Sequence, residues 1–488
     1  MMEWRAQLTL LLSSLSGRRA GAERRLPRAE SGQEGETRVT LELGPVAELD
    51  DMTLTDCERR IMDEIAGRRE ELVALACDLI AFDTTAREHI DDLPRDEAAL
   101  QEYLAARLRA SGAEVEIWEP APEDVAGSPL APPGLRFDGR PQLAARFAGA
   151  GNGRNLLFNG HIDVVKPDPI EQWTSAPFLP EVREGRLYGR GSCDMKGGIA
   201  SMVFAAEVLA SLGAPLAGDL IICTVTDEES TGAGALAAVA HGVRADAGII
   251  PESTDFEVKI ACRGSLIPTI TVLGRAGHAG CPQPYWRDGG AVNAIEKAGL
   301  ISDAMHRLRA DWRQRRNDSA PYLSPGDIVP TRIIGGEWMV SYPASCQLEY
   351  HIAYLPGQAD ADGWGGRVRE EVADWVMRAA QADPWLVENP PTIAWAPEVP
   401  AVSISPDEPI VPITLAASAA AGRTSRMWGS DGWFDAATFT LGGTPTIGFG
   451  PGNGSDLAHV VDEYIPVDDL VAAAQALAVA ALRFCGPA

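Results

Sequence analysis

Apolar positions recur at helical spacing in two early stretches of the chain. Over 55–80, Ile61, Ile65, Leu72, Leu75, Leu79 and Ile80 fall near one face, and over 95–110 Leu100, Tyr103, Leu104 and Leu108 repeat the pattern. Gly112 ends the second helix, and Val115–Trp118 alternates as a strand does. Residues 120–141 are rich in proline and glycine and read as a loop. Beyond them, short apolar runs alternate with helical ones: strand Leu156–Asn159, helix Ile199–Leu212, strand Leu220–Thr226, helix Gly234–Ala240 and strand Ala247–Ile250. Strands that are apolar throughout need cover on both faces. The pattern therefore predicts an α/β domain with a largely parallel central sheet.

Near 264 the period changes. Leu266–Leu273 is β-branched and alternating, Ala291–Leu308 is helical, Asp327–Ile334 and Cys346–Tyr354 are strands, Asp362–Ala380 is helical and Thr392–Trp395 is a last strand. The order βαββαβ is that of a ferredoxin-like domain. Pro397–Pro409 reads as a linker, after which 410–488 resumes the alternation and ends in the alanine-rich helix 468–483. The expected organisation is one domain, 51–263 plus 398–488, interrupted by an inserted domain over 264–397.

Composition narrows the function classes. The 488 residues are 45% hydrophobic and 23% charged, ordinary for a soluble globular chain. With 42 Lys+Arg against 69 Asp+Glu the net charge is −27, a field that repels phosphate backbones and argues against a nucleic-acid partner. No apolar run approaches the roughly 18 residues of a membrane span, so no membrane partner is expected. In residues 1–50 the short patch Leu8–Leu12 precedes Arg18, Arg19, Arg24, Arg25 and Arg28, the reverse of a signal peptide's order; this stretch reads as a disordered extension. The eight cysteines form no C-x-x-C pair and read as buried free thiols of a reducing, cytoplasmic compartment.

Five short segments carry candidate chemistry. His161 and Asp163 lie in Asn159-Gly160-His161-Ile162-Asp163 at a strand end, where an imidazole can ligate a metal and a carboxylate can hold its other nitrogen. Alone, this reads more readily as a polar strand end than as a ligand. Asp194 follows a glycine-rich turn, Gly189-Arg190-Gly191-Ser192-Cys193-Asp194-Met195-Lys196-Gly197-Gly198, where it is either a ligand or a helix cap. Asp227-Glu228-Glu229 are three acids leaving a buried strand, which repel one another unless cations compensate; a solvated acidic loop is the alternative. Glu252 leaves the next strand. Phe449-Gly450-Pro451-Gly452 precedes Ala458-His459-Val460-Val461-Asp462-Glu463. Together these place acids and imidazoles at the C-terminal ends of successive strands, where α/β sheets bind ligands. Histidine and carboxylate donors without thiolates suit a catalytic zinc site, which cobalt or manganese can also fill.

In this ordered set the chain, over about 55–485, resembles the dizinc metallopeptidases and deacylases that include aminoacylase, acetylornithine deacetylase, succinyl-diaminopimelate desuccinylase and carboxypeptidase G. The resemblance implies a catalytic domain with an inserted ferredoxin-like lid that also dimerises. It implies His161 and Glu252 as ligands of one divalent ion, Glu229 and His459 of a second, and Asp194 as the carboxylate between them. It implies Glu228 as general base and Asp163 as the acid that orients His161. In Gly277-His278-Ala279, His278 is expected to help hold the substrate carbonyl oxygen, often from a partner subunit; Asn293 and Gly450 are expected at the substrate. The implied activity is hydrolysis of an amide bond in a small N-acylated amino acid or related amide, by a water that two metal ions share. A dipeptidase or carboxypeptidase with the same site is the alternative. A non-catalytic binder is disfavoured because every ligand position and the base are filled by competent residues.

One departure stands out. Where many relatives carry an acid, one residue, and an arginine that grips the substrate carboxylate, this chain has His351 and Ala353 in Tyr350-His351-Ile352-Ala353-Tyr354. Alanine cannot form a charge-assisted clamp, and Arg332 or Arg263 is the expected substitute. Tyr285 and Trp286 are candidates for an apolar subsite, or equally for packing at the lid surface or an interface.

Overall fold

The computed structural model describes residues 54–315 and 320–487. The expected extension over 1–50 lies outside the described residues. Two sheets carry the architecture. The larger runs in the order Glu114–Trp118, Gln142–Phe147, Leu220–Val225, Leu156–His161, Ala247–Ile250, Thr446–Gly448, Val258–Cys262 and Val402–Ser403, with Met427–Ser430 also on Val258–Cys262. Its middle is parallel: Leu156–His161 runs with both Leu220–Val225 and Ala247–Ile250, and Thr446–Gly448 with Ala247–Ile250. The flanks add antiparallel strands. Leu156, Leu157 and Phe158 are all buried, as a strand covered on both faces requires. Helices Lys196–Ser211 and Val467–Cys485 pack on one side, within a core that includes Phe158, Ile199, Phe204 and Leu477.

The second sheet uses the strands of 264–395. Its order is Asp327–Gly335, Ser345–Tyr354, Pro268–Leu273, Thr392–Trp395, all antiparallel, with Gly264–Leu266 added on Ser345–Tyr354. Numbered along the chain this is 2-3-1-4, the ferredoxin-like arrangement that the strand and helix order predicts. Helices Ala294–Trp312 and Gly366–Ala380 cover it through Ile301, Met305, Val372 and Val376.

Several expectations change in detail. The helical stretch 55–80 is two helices, Asp56–Gly67 and Arg69–Ile80, separated where Arg68 leaves helical geometry after a glycine. The first is closed by a capping box between Thr55 and Glu58. Gln142–Phe147 is a strand that its alanines and arginine conceal. The linker 397–409 contributes the short strand Val402–Ser403. Cys57 and Cys281 are exposed and Cys77 is half-buried, so only five of the eight free thiols are buried. No helix among the described residues is long and apolar enough to cross a membrane.

A third, small sheet positions the site. Tyr464–Pro466 pairs antiparallel with Arg186–Tyr188, which pairs with Glu181–Arg183. That ladder brings the segment after His459 beside the glycine-rich turn that carries Asp194.

Candidate metal centre

Parallel neighbours end at the same edge of a sheet, so side chains that follow them converge. His161 is the last residue of its strand and pairs in register with Val225; Glu228 and Glu229 follow Val225, and Glu252 follows the strand on the other side. Two glycines permit this crowding around Glu252. A side chain at Gly198 would meet the Pro251 carbonyl oxygen at 1.9 Å, and one at Gly450 would meet the Glu252 carbonyl oxygen at 2.5 Å.

Asp194 lies between two imidazoles. Its Oδ1 is 3.1 Å from His161 Nε2 and its Oδ2 is 3.3 Å from His459 Nε2. Glu252 Oε1 is 3.5 Å from His161 Nε2, and Glu229 Oε2 is 3.2 Å from His459 Nε2. Two groups, His161–Asp194–Glu252 and Asp194–Glu229–His459, thus each offer three donor atoms lying within 4.8 Å of one another, and Asp194 belongs to both. The helix-cap reading of Asp194 does not apply, because Met195 holds that position. His459 adopts a left-handed backbone, φ 61°, which costs a non-glycine residue of order 1 kcal/mol and recurs at functional sites.

The charges fit cations. Glu229 Oε1 is buried with no hydrogen-bond partner. Burial opposes a charged His161, yet its contacts with Asp194 and Glu252 hold it well above the usual imidazole range. Bonds to Asp194 and Glu229 raise His459 to about 10. Burial, then Asp194, raises Glu252. Protons on the imidazoles supply positive charge that three clustered carboxylates need. Two imidazoles and three carboxylates, with no thiolate, are a donor set for two divalent ions such as zinc. Buried Cys193 stays outside both groups.

The acids around the cluster divide their work. Asp227, left-handed at φ 66°, is taken by Arg87, which reaches it with Nε at 2.9 Å and Nη2 at 2.6 Å, both side chains 2% exposed. Glu228 is partly exposed, and burial pushes its carboxyl well above the usual range. Asp163 differs from its expected part. His161 Nδ1 is 2.9 Å from the Asp163 backbone oxygen and 3.7 Å from the carboxylate, which instead accepts the backbone N–H groups of Glu228 and Glu229 at 3.2 and 3.0 Å. It steadies the loop of Glu228 and Glu229 as well as His161.

Two supports carry no role in the sequence reading. Glu463 is fully buried: Oε1 accepts from the N–H groups of Cys193 (2.7 Å) and Asp194 (3.0 Å), and Oε2 from Gly191 N–H (3.1 Å) and Arg190 Nη1 (2.5 Å). It ties the turn that carries Asp194 to the segment that carries His459. Its signal was the last residue of the Ala458–Glu463 motif. Asp435 is buried beneath the cluster with both carboxylate oxygens lacking partners, beside the equally unpartnered Asn159 amide. Burial pushes its carboxyl up to about 8.

Other expected residues lie elsewhere. His278 is exposed on the two-residue strand Gly277–His278, where its Nδ1 accepts from Gly280 N–H. Asn293 caps helix Ala294–Trp312, its Oδ1 accepting from Ile295 and Glu296. Arg332 is 63% exposed and 3.7 Å from Glu349. Arg263 donates to the carbonyls of Asp431 and Pro325. Trp286 packs edge-on against Trp385. A cleft of about 1050 Å³ opens beside the cluster, lined by Glu228, Glu229, Ile90, Ile267, Val399 and Trp433 among others.

Comparison with known proteins gives a consistent picture. The family model for peptidase family M20/M25/M40 matches residues 157–483. The N-formyl-4-amino-5-aminomethyl-2-methylpyrimidine deformylase of Halalkalibacterium halodurans is 29% identical over 434 residues, 84% of this chain and 93% of its own. A succinyl-diaminopimelate desuccinylase of Xanthomonas oryzae pv. oryzae is 30% identical over 417 residues, 82% of this chain and 96% of its own. The crystal structure of the Bacillus subtilis YXEP protein, described as a dinuclear metal-binding peptidase of the M20 family, superposes with a TM-score of 0.58 at 15% identity, over 86% of this chain and 99% of that one.

Replacing Glu463 by alanine takes the carboxylate from buried Arg190 and the acceptor from three N–H groups. The expected loss is about 3–5 kcal/mol in chemical denaturation of metal-free protein, with Glu463→Gln losing less. Asp435 gives a pH test. A carboxyl whose folded pKa lies above its unfolded value binds an extra proton in the folded state, so stability falls as pH rises through that window. Asp435→Asn removes this penalty. The melting temperature of the metal-free variant, relative to wild type, should rise progressively from about pH 5 to about pH 8.

Proposed function

We propose, from the premise that the chain belongs to peptidase family M20/M25/M40, that it is a two-metal hydrolase of the amide bond in a small N-acylated amino compound. The single observation that carries the reading is Asp194, shared by two groups of donors with Glu228 beside them on the cleft wall. Both full-length relatives named above remove an acyl group from nitrogen, which supports deacylation over peptide cleavage. A dipeptidase or carboxypeptidase is the second reading, and the absence of an arginine at Ala353 disfavours it, since peptides present a carboxylate.

His161, Asp194 and Glu252 would hold one ion, and Asp194, Glu229 and His459 the other; zinc suits the donors best. Bound there, divalent ions supply Lewis acidity toward the amide oxygen and lower the pKa of water. The remaining work falls to the chain. Glu228, whose burial favours holding a proton, takes one from the attacking water on its carboxylate and passes it to the departing nitrogen. Asp163 fixes the Glu228 and Glu229 backbone through its two carboxylate oxygens. Arg87 keeps Asp227 from adding a further negative charge beside the base.

His278 stands outside the cluster in this chain, and its expected part at the carbonyl oxygen passes to a second copy. We assign 264–397 as the lid and dimerisation domain and 51–263 plus 398–488 as the catalytic domain. The lid's edge strand exposes Ile333 and Ile334, followed by Trp338 (65% exposed) and Met339 (89%), an apolar patch of the kind that marks an interface. The eight free cysteines support a reducing, cytoplasmic setting.

A hydrolysis screen of zinc-loaded protein against N-acyl amino acids, dipeptides and aryl amides tests the assignment. Chelation should abolish turnover and zinc restore it. Glu228→Gln should retain metal and lose about 10²–10⁴-fold in kcat; near-normal turnover would remove Glu228 as base. For assembly, sedimentation should give a dimer for wild type and a monomer for Trp338→Asp combined with Met339→Asp. A wild-type monomer would remove the dimer.

A further inference from the structure

The inference rests on the amide-hydrolase reading and concerns which amides enter. Among the described residues that line the cleft, the basic side chains are Arg87 and His89. Arg87 is fully engaged: Nε and Nη2 on the Asp227 carboxylate, Nη1 on the Arg136 carbonyl at 2.8 Å. His89 is exposed.

The cations just behind the walls are engaged as well. Lys166 is 2.5 Å from Glu88, Arg369 pairs with buried Glu398, and Arg263 is bound to two backbone carbonyls. His351 reaches the wall through Ser265, its Nε2 3.0 Å from Ser265 Oγ; burial, then Arg263, pushes its imidazole below the usual range and disfavours its charged form. Ala353 is buried and brings no charge. Against this, Glu88 and Asp91 are acids of the lining, while Ile90, Leu130, Ile267 and Trp433 give it apolar surface. The chain's net charge of −27 adds a long-range field of the same sign.

We propose that the amine half of the substrate carries no carboxylate: the cleft takes the N-acyl derivative of an uncharged or cationic amine with an apolar body, and rejects N-acyl α-amino acids. A carboxylate placed against this lining, away from the donor groups that would hold the ions, would lose its hydration and meet Glu88 and Asp91, with no free guanidinium or ammonium among the described lining residues in exchange.

A matched pair isolates the carboxylate: N-acetyl-2-phenylethylamine and N-acetyl-L-phenylalanine. Binding of each to zinc-loaded Glu228→Gln is read by calorimetry, so the answer does not depend on turnover. The carboxylate-free compound should bind at least about tenfold more tightly. His89→Gln should leave that ratio unchanged, and Ile267→Arg, which adds a guanidinium to the lining, should reverse it. Equal or tighter binding of the acid to Glu228→Gln, no binding of either compound at millimolar concentration, or an unaltered ratio in Ile267→Arg would each overturn the proposal. Discrimination by calorimetry together with a wild-type enzyme that cleaves neither compound would uphold this selectivity and overturn the hydrolase reading instead.

Discussion

Negative charge gathered at one edge of a sheet, and the need to neutralise it, governs this molecule. Parallel packing forces His161, Glu228, Glu229 and Glu252 to leave neighbouring strands at the same level, and the turn at Asp194 adds another acid between two imidazoles. In a buried setting such a group is unfavourable unless positive charge joins it. The chain answers in three ways. Arg87 neutralises Asp227, Arg190 neutralises Glu463, and the imidazoles face Asp194, where divalent ions fit the donors. Each acid that is not a donor has a cation, a proton or backbone N–H groups of its own.

That division explains why the surroundings are as specific as the ligands. Glu463 touches no donor side chain, yet it holds three N–H groups of the turn that aims Asp194. Asp163 likewise acts through backbone, on the loop of Glu228. Such supports fix ligand direction more firmly than rotamer preference can. The small sheet formed by Tyr464–Pro466 and Arg186–Tyr188 then sets the distance between the two segments that Glu463 joins.

What could be read in the sequence was what depends on local pattern. Buried strands and the inserted βαββαβ order follow from periodicity, and the donors could be placed because strand ends in an α/β sheet converge. Gln142–Phe147 escaped because alanine, glutamine and arginine carry no strand signature. Arg87 and Asp435 escaped because their importance comes from contact: one meets Asp227 across 140 positions of chain, the other lies beneath the cluster from a distant segment. Asn293 is a different case. The resemblance implies a substrate contact for it, and the structure adds a local task that the pattern did not signal, the N-cap of helix Ala294–Trp312.

The order in which the donors are synthesised has a consequence for biogenesis. His459 and Glu463 emerge from the ribosome only after the whole second sheet, long after His161, Asp194, Glu229 and Glu252. A nascent chain therefore displays its acids before the segment that anchors the Asp194 turn exists. Domains begin to fold from the N-terminal side during translation. Here the earlier strands must wait for residues 458–463, so the two donor groups are completed by the last of their segments to be made rather than by the first.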